Sequence, residues 1–189
     1  MATPQESNAN DQSALAFIRV SHNEYGASYG ALVRTDRSWF GIAERTEYQT
    51  PNFMELVGVS RVLDSIRSQL GPSTVRLFVS EYVSKGYTLY LPIWVTNEWR
   101  SKGGEIAHSD VWMDLTDQVS AHTNVGFETL ASKGPDKKLW RNERTAAATL
   151  ATRVGTLGYS CRDVTKAFRP RFDASRLSGA NDDDPRDGY

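Results

Sequence analysis

The stretch from Asn52 to Leu70 constrains this chain more than any other. Leu56, Val59, Leu63, Ile66 and Leu70 recur at steps of three and four, while Ser60, Arg61, Asp64, Arg67 and Ser68 fall between them. That spacing predicts an amphipathic helix with one apolar stripe against a core and a polar face in water. Pro51 and Asn52 punctuate the chain just before it, so the words Asn52-Phe53-Met54-Glu55-Leu56 open the helix and place Glu55 in its first turn. A carboxylate there is favoured by the helix dipole and serves either as a structural charge or as a ligand.

A one-sided helix needs a surface to cover, and the flanking segments supply strands. Ala14 to Val20 is a short apolar run that stops at His22-Asn23-Glu24. Tyr29 to Val33 and Trp39 to Ala43 are two more, separated by the polar turn Thr35-Asp36-Arg37-Ser38. These read as three sequential antiparallel strands. Thr74 to Val79 is a fourth strand, reached through a helix and therefore parallel to the first.

Ser80 to Trp99 reads as short helices carrying Tyr82, Tyr87, Tyr90, Trp94 and Trp99, rings whose ordinary role is core packing. Arg100 to Gly104 reads as a flexible basic turn. His108 to His122 reads as a helix capped by Ser109, Asn124 to Ala131 as a fifth strand, and Trp140 to Val154 as a helix ended by Gly155. The order β-β-β-α-β-α-α-β-α describes a mixed five-stranded α/β sheet flanked by helices.

At 189 residues with a net charge of −1, the chain suits one domain with tails and lacks the basic excess that announces nucleic-acid binding on its own. The single cysteine, Cys161, excludes an internal disulfide framework and a Cys-based zinc site, which points to a reducing, cytoplasmic or other intracellular compartment. Residues 1–13 read as a polar disordered lead, 14–158 as the folded domain, 159–178 as a basic extension that is helical in part, and 179–189 as an acidic disordered tail. No signal peptide or membrane span is expected.

Five short words sit in this order: Ser28-Tyr29-Gly30-Ala31-Leu32, Asn52-Phe53-Met54-Glu55-Leu56, Ser80-Glu81-Tyr82-Val83 with Gly86, Asp110-Val111-Trp112, and Asn142-Glu143-Arg144. Together with the element order, they make the chain resemble the type 1 ribonuclease H family from Leu15 to Val154. The resemblance implies that family's fold: three antiparallel strands, then two parallel ones. The activity it implies is cleavage of the RNA strand of an RNA/DNA hybrid by two divalent metals held on four carboxylates. Such metals stand about 4 Å apart, one activating water and the other stabilising the leaving oxygen.

Carried over residue by residue, the resemblance leaves one of the four ligands. The helix glutamate is Glu55; the first-strand aspartate falls on Arg19, or on Val20, the fourth-strand aspartate on Val79 and the last-helix aspartate on Ala146. The family's mobile-loop histidine falls near Pro135, with no histidine after His122. One carboxylate does not hold two magnesium ions against their hydration shells. Arg19 is expected to pair with Glu55 in a salt bridge where a metal would sit. Glu24, Glu81 and Glu143 are the carboxylates from which, with Glu55, a displaced site would have to be built, although their ordinary reading is solvated surface charge. Ser21 with His22 and Ser120 with His122 are neighbours in sequence only and carry no hydrolytic triad.

The segment matching the family's basic hybrid-gripping protrusion, Tyr90 to Ala107, has Arg100 and Lys102 balanced by Glu98 and Glu105, so it should grip phosphates weakly. The basic candidates for binding are Lys133, Lys137, Lys138, Arg141 and Arg144, joined by Arg162, Lys166, Arg169 and Arg171. The leading expectation is a catalytically inactive ribonuclease H-like module that binds a protein partner or nucleic acid and needs no cofactor. The alternative is a divergent nuclease that uses magnesium or manganese on relocated carboxylates.

Overall fold

A computed structural model describes residues 12–24, 26–47, 49–129 and 140–157. Strands β1 (Ser13–Asn23), β2 (Gly26–Thr35) and β3 (Trp39–Glu47) form an antiparallel meander, followed by helix α1 (Pro51–Leu70) and strand β4 (Thr74–Val79). Helix α2 (Glu81–Lys85), a π-helical turn (Gly86–Tyr90) and helix α3 (Leu91–Thr96) run on continuously. A small hairpin, β5 (Arg100–Ser101) and β6 (Gly104–Glu105), leads to α4 (Ser109–Ser120), β7 (Asn124–Thr129) and α5 (Arg141–Leu157).

The main sheet has five strands in the order β3-β2-β1-β4-β7, with β1 antiparallel to β2 and parallel to β4, and β4 parallel to β7. This is the mixed sheet expected from the element order. The parallel neighbours are reached by crossovers through α1 and through the helices after β4, as parallel pairing demands.

The pleat of β1 decides what each helix covers. Ala14, Ala16 and Ile18 join the main core with Met54, Leu56, Val59, Leu63 and Ile66 of α1. Phe17, between them, belongs to a second cluster with Leu32, Phe78, Ala146 and Ala147, beneath α5. Alternate residues of a strand point to opposite faces, so α1 and α5 sandwich the meander.

Both helices sit very close to the sheet. A methyl group at Gly30 of β2 would lie 2.3 Å from the Ala147 carbonyl oxygen and 2.3 Å from the Ala151 nitrogen, which requires glycine at this contact. Ser28 reinforces it by donating its hydroxyl to the Ala151 carbonyl at 2.8 Å.

Several local expectations need correction. Thr50 caps α1 by accepting the Phe53 N–H, and Pro51 takes the first helical turn, so Glu55 lies just beyond that turn. Ser109 is not a cap; His108 occupies that position with a left-handed φ of 61° and no side-chain bond. Helix α5 continues through Gly155 to Leu157, because Gly155 answers a close approach, its missing methyl lying 2.9 Å from the Ser28 hydroxyl. The supposed flexible turn at Arg100 is the β5–β6 ladder, in which Arg100 is opposite Glu105.

The rings mostly pack as expected. Tyr82, Tyr87, Trp94 and Trp99 lie against the main core, and Trp112 is fully buried beside Tyr82 and Trp94, whereas Tyr90 is exposed.

Candidate functional site

Glu55 is the family-type acid in the described residues, and its surroundings fix its role. It is 6% exposed, on the sheet-facing side of α1. Ser80, at the end of β4, donates its backbone N–H to Oε1 at 2.7 Å and its hydroxyl to Oε2 at 2.6 Å. The same Ser80 hydroxyl accepts the Val83 N–H at 3.4 Å and so caps α2. Both carboxylate oxygens therefore help to tie α1, β4 and α2 together. Burial pushes the Glu55 carboxyl above its usual range, while the two Ser80 hydrogen bonds and the charge of Arg19 pull it down.

The expected Arg19–Glu55 salt bridge is absent: no ion pair within 4.0 Å joins them, and Arg19 acts on Glu55 only as a nearby charge. The cause is the strand pleat. Arg19 has the parity of Phe17 and faces α5, whereas Glu55 belongs to the opposite helix. Arg19 instead lines a cavity of about 510 Å³ with Arg141, Arg144 and Arg153 of α5.

The other positions that the resemblance assigns to ligands carry no oxygen. Val79 is 0% exposed and packs in the α1-side core, and Ala146 is 3% exposed in the aromatic cluster on the other face. Phe17 and Phe78 stack there with centroids 4.6 Å apart, and Trp140 tilts against both.

Nor do the displaced acids converge. Glu143 is buried and receives a 2.6 Å bond from Arg34 Nη1, an arginine whose guanidinium also lies 5.5 Å from the Trp140 ring. Glu81 is exposed and pairs with Lys85, which holds the Glu81 carboxyl below its ordinary range. Glu24 is exposed beyond the end of β1. Among the described residues no three of His, Cys, Asp and Glu are grouped to hold a metal ion. Hard divalent cations need several anionic oxygens at short, regular distances, so the described residues at these positions do not fit a magnesium pair.

Of the basic residues expected to bind, the structure brings Arg141 and Arg144 together at the cavity and adds Arg19 and Arg153. The helical spacing of 141, 144 and 153 was a signal for this grouping; the contribution of Arg19 needed the strand parity. Lys133, Lys137, Lys138, Arg162, Lys166, Arg169 and Arg171 lie outside the described residues. His122 is structural: Nδ1 accepts the Ser73 N–H at 3.4 Å, and Nε2 lies 3.0 Å from the Leu63 carbonyl, to which it donates in the matching neutral tautomer. No helix among the described residues is long and apolar enough to cross a membrane.

Comparison with known proteins agrees with this architecture. The chain is 36% identical over 83 residues to a ribonuclease H of Neorickettsia sennetsu, an alignment covering 43% of this chain and 54% of that protein. It thus spans about half the length of that relative, and 53% of a similar ribonuclease H from Pseudomonas syringae. A longer match, 30% identical over 140 residues, covers 63% of this chain and 86% of a ribonuclease H from Verminephrobacter eiseniae.

Among solved structures, LC9-RNase H1, a type 1 RNase H with the type 2 active-site motif, superposes with a TM-score of 0.69 at 18% identity, over 90% of this chain and 92% of its own. A foamy viral protease-reverse transcriptase in complex with RNA/DNA hybrid gives 0.54 at 14% identity, over 76% of this chain and 20% of that one. No family profile matches the chain. The 86% coverage of a 30% identical relative, on a fold with the same strand order as the resemblance implied, places this chain in the ribonuclease H family.

Proposed function

We propose that this chain is a ribonuclease H-family module that has given up two-metal hydrolysis and acts by binding, to nucleic acid or to a protein partner. The observation that carries the reading is the engagement of Glu55: both of its oxygens accept hydrogen bonds from Ser80. The remaining inherited positions support it, since Arg19 brings a positive charge and Val79 and Ala146 are buried without a donor atom. Water activation by metals of this kind depends on a cage of anionic oxygens that these residues do not provide. A hybrid-like nucleic acid is a natural ligand on this reading, given the foamy viral structure of the same fold in complex with RNA/DNA hybrid.

The test is cleavage of an end-labelled RNA/DNA hybrid by the full chain, in magnesium and in manganese, beside Glu55→Gln. Absence of cleavage at high protein concentration is expected. Cleavage that disappears in Glu55→Gln would overturn the reading in favour of a nuclease with relocated carboxylates.

A further inference from the structure

The large apolar side chains that stand exposed among the described residues are concentrated on one element. Leu89, Tyr90, Ile93 and Val95, which are 55%, 48%, 54% and 53% exposed, all belong to the π-helical turn and α3. Leu89 and Ile93 are one helical turn apart and share a face, with the exposed Pro92 beside them. The opposite side of α3 is anchored: Leu91 is buried, and Trp94 packs edge-on against the buried Trp112 with centroids 5.3 Å apart. The exposed side chains thus stand on a support that is already fixed in place.

Beside this apolar face the β5–β6 hairpin carries charges of both signs. Trp99 donates its N–H to the Trp94 carbonyl at 2.7 Å, which turns the chain back at the end of α3. Glu98 and Trp99 make that turn with φ of 51° and 61°, a left-handed conformation that residues other than glycine seldom adopt. Arg100 and Glu105 are opposite one another on the ladder and exposed, as are Glu98 and Lys102. Among the described residues, no ion pair within 4.0 Å engages any of these four.

We propose that this face is where two copies of the chain meet, about a twofold axis near Ile93. In a twofold interface one patch serves both sides, so it must complement itself. A rim of one sign would repel its own copy. Here two acids and two bases flank the apolar centre, and the acids of one copy face the bases of the other. An apolar centre within a polar rim is the anatomy of a protein interface. A phosphate backbone or an anionic membrane is disfavoured, because Glu98 and Glu105 would repel it. An apolar patch of a few hundred Å² falls short of the roughly 800 Å² per partner of a standard interface, so the hairpin takes part and association is modest, with a dissociation constant of roughly 10–100 μM.

This self-association does not depend on the fate of the inherited metal site. Sedimentation equilibrium of the full chain, from about 5 to 300 μM, is expected to show a reversible monomer–dimer equilibrium. Ile93→Arg is expected to weaken it about tenfold or more, since the twofold axis places the change on both sides. Two hairpin variants test the rim: Glu98→Lys with Glu105→Lys, and Arg100→Glu with Lys102→Glu. Each alone is expected to stay monomeric, and an equimolar mixture of the two to form a heterodimer. Arg37→Glu, an exposed change in the β2–β3 turn, is expected to dimerise as the unaltered protein does. All of these positions are exposed, and circular dichroism with thermal melting checks that each variant is folded.

A chain that stays monomeric across the whole range overturns the proposal and leaves the face to a foreign protein or to another segment of the same chain. A dimer that persists in folded Ile93→Arg overturns it as well, since the contact then lies elsewhere. So does a pair of charge variants that associate separately as well as they do when mixed.

Discussion

Glu55 and Ser80 form a closed clamp: the serine donates from its backbone nitrogen to one carboxylate oxygen, at 2.7 Å, and from its hydroxyl to the other, at 2.6 Å. A residue that the resemblance places in a metal site thus joins α1 to the junction of β4 and α2. Replacing it by glutamine keeps one acceptor oxygen for the Ser80 N–H but turns the charge-assisted hydroxyl bond into a neutral one in which the amide NH₂ must donate to a hydroxyl oxygen that already accepts the Val83 N–H. Glu55→Gln is therefore expected to lower the unfolding free energy by about 1–3 kcal/mol, read by urea denaturation near neutral pH.

The same carboxyl gives a pH signature. Burial raises its pKa above the ordinary carboxylate value, so over the interval between the unfolded and folded values the native state holds more protons than the unfolded one. The contribution of Glu55 to stability is accordingly most favourable at low pH and declines as pH rises through that interval, levelling off above the folded value. Subtracting the stability–pH profile of Glu55→Gln should expose this decline, and a difference profile rising with pH would contradict it. Because the Arg19 charge opposes the shift, Arg19→Ala should move the Glu55 carboxyl further up, as measured by carboxyl carbon NMR.

Arg34 and Glu143 test what a mostly buried ion pair does here. Their side chains are 14% and 11% exposed, and their contact is 2.6 Å. Removing either partner leaves a charge with little access to water, so Glu143→Ala or Arg34→Ala should each cost about 3–5 kcal/mol. Arg34→Met combined with Glu143→Leu should recover most of that loss, with the coupling energy read from a double-mutant cycle.

Gly30→Ala should loosen α5. Its methyl group would meet two backbone atoms of the helix at 2.3 Å, and backbone does not yield as a flexible side chain does. A loss of about 3 kcal/mol is expected, with faster hydrogen exchange concentrated in α5 amides.

Restoring an acid at Val79 should not restore a metal site. Position 79 is 0% exposed within the main apolar core. Val79→Asp is therefore expected to destabilise by about 4 kcal/mol or more and to give no hybrid cleavage in manganese, as followed by thermal melting and the cleavage assay.

The fold was legible because its signals are periodic. The stripe from Leu56 to Leu70 and the parallel strand after it left few arrangements for the sheet. The site was less legible because partners distant in sequence decide it. Arg19 was expected beside Glu55 by analogy with a ligand set, yet the alternation of Ile18 and Arg19 already separates them onto two faces once Ile18 is assigned to the core of α1. Ser80 caps α2 and also donates to Glu55, and the sequence reading singled out neither role. Gly155 resembled a helix terminator because glycine has two uses, and only the nearby Ser28 distinguishes them.

The position of α5 also bears on how the protein is made. The meander and α1 leave the ribosome well before the helix that covers the second face of the sheet, since α5 begins only at Arg141. Until it docks, Phe17, Leu32 and Phe78 have no α5 over them, and the nascent chain carries an apolar sheet face open to other chains. Polypeptides cut short before Arg141 would keep that face uncovered, making them clients for chaperones and proteases.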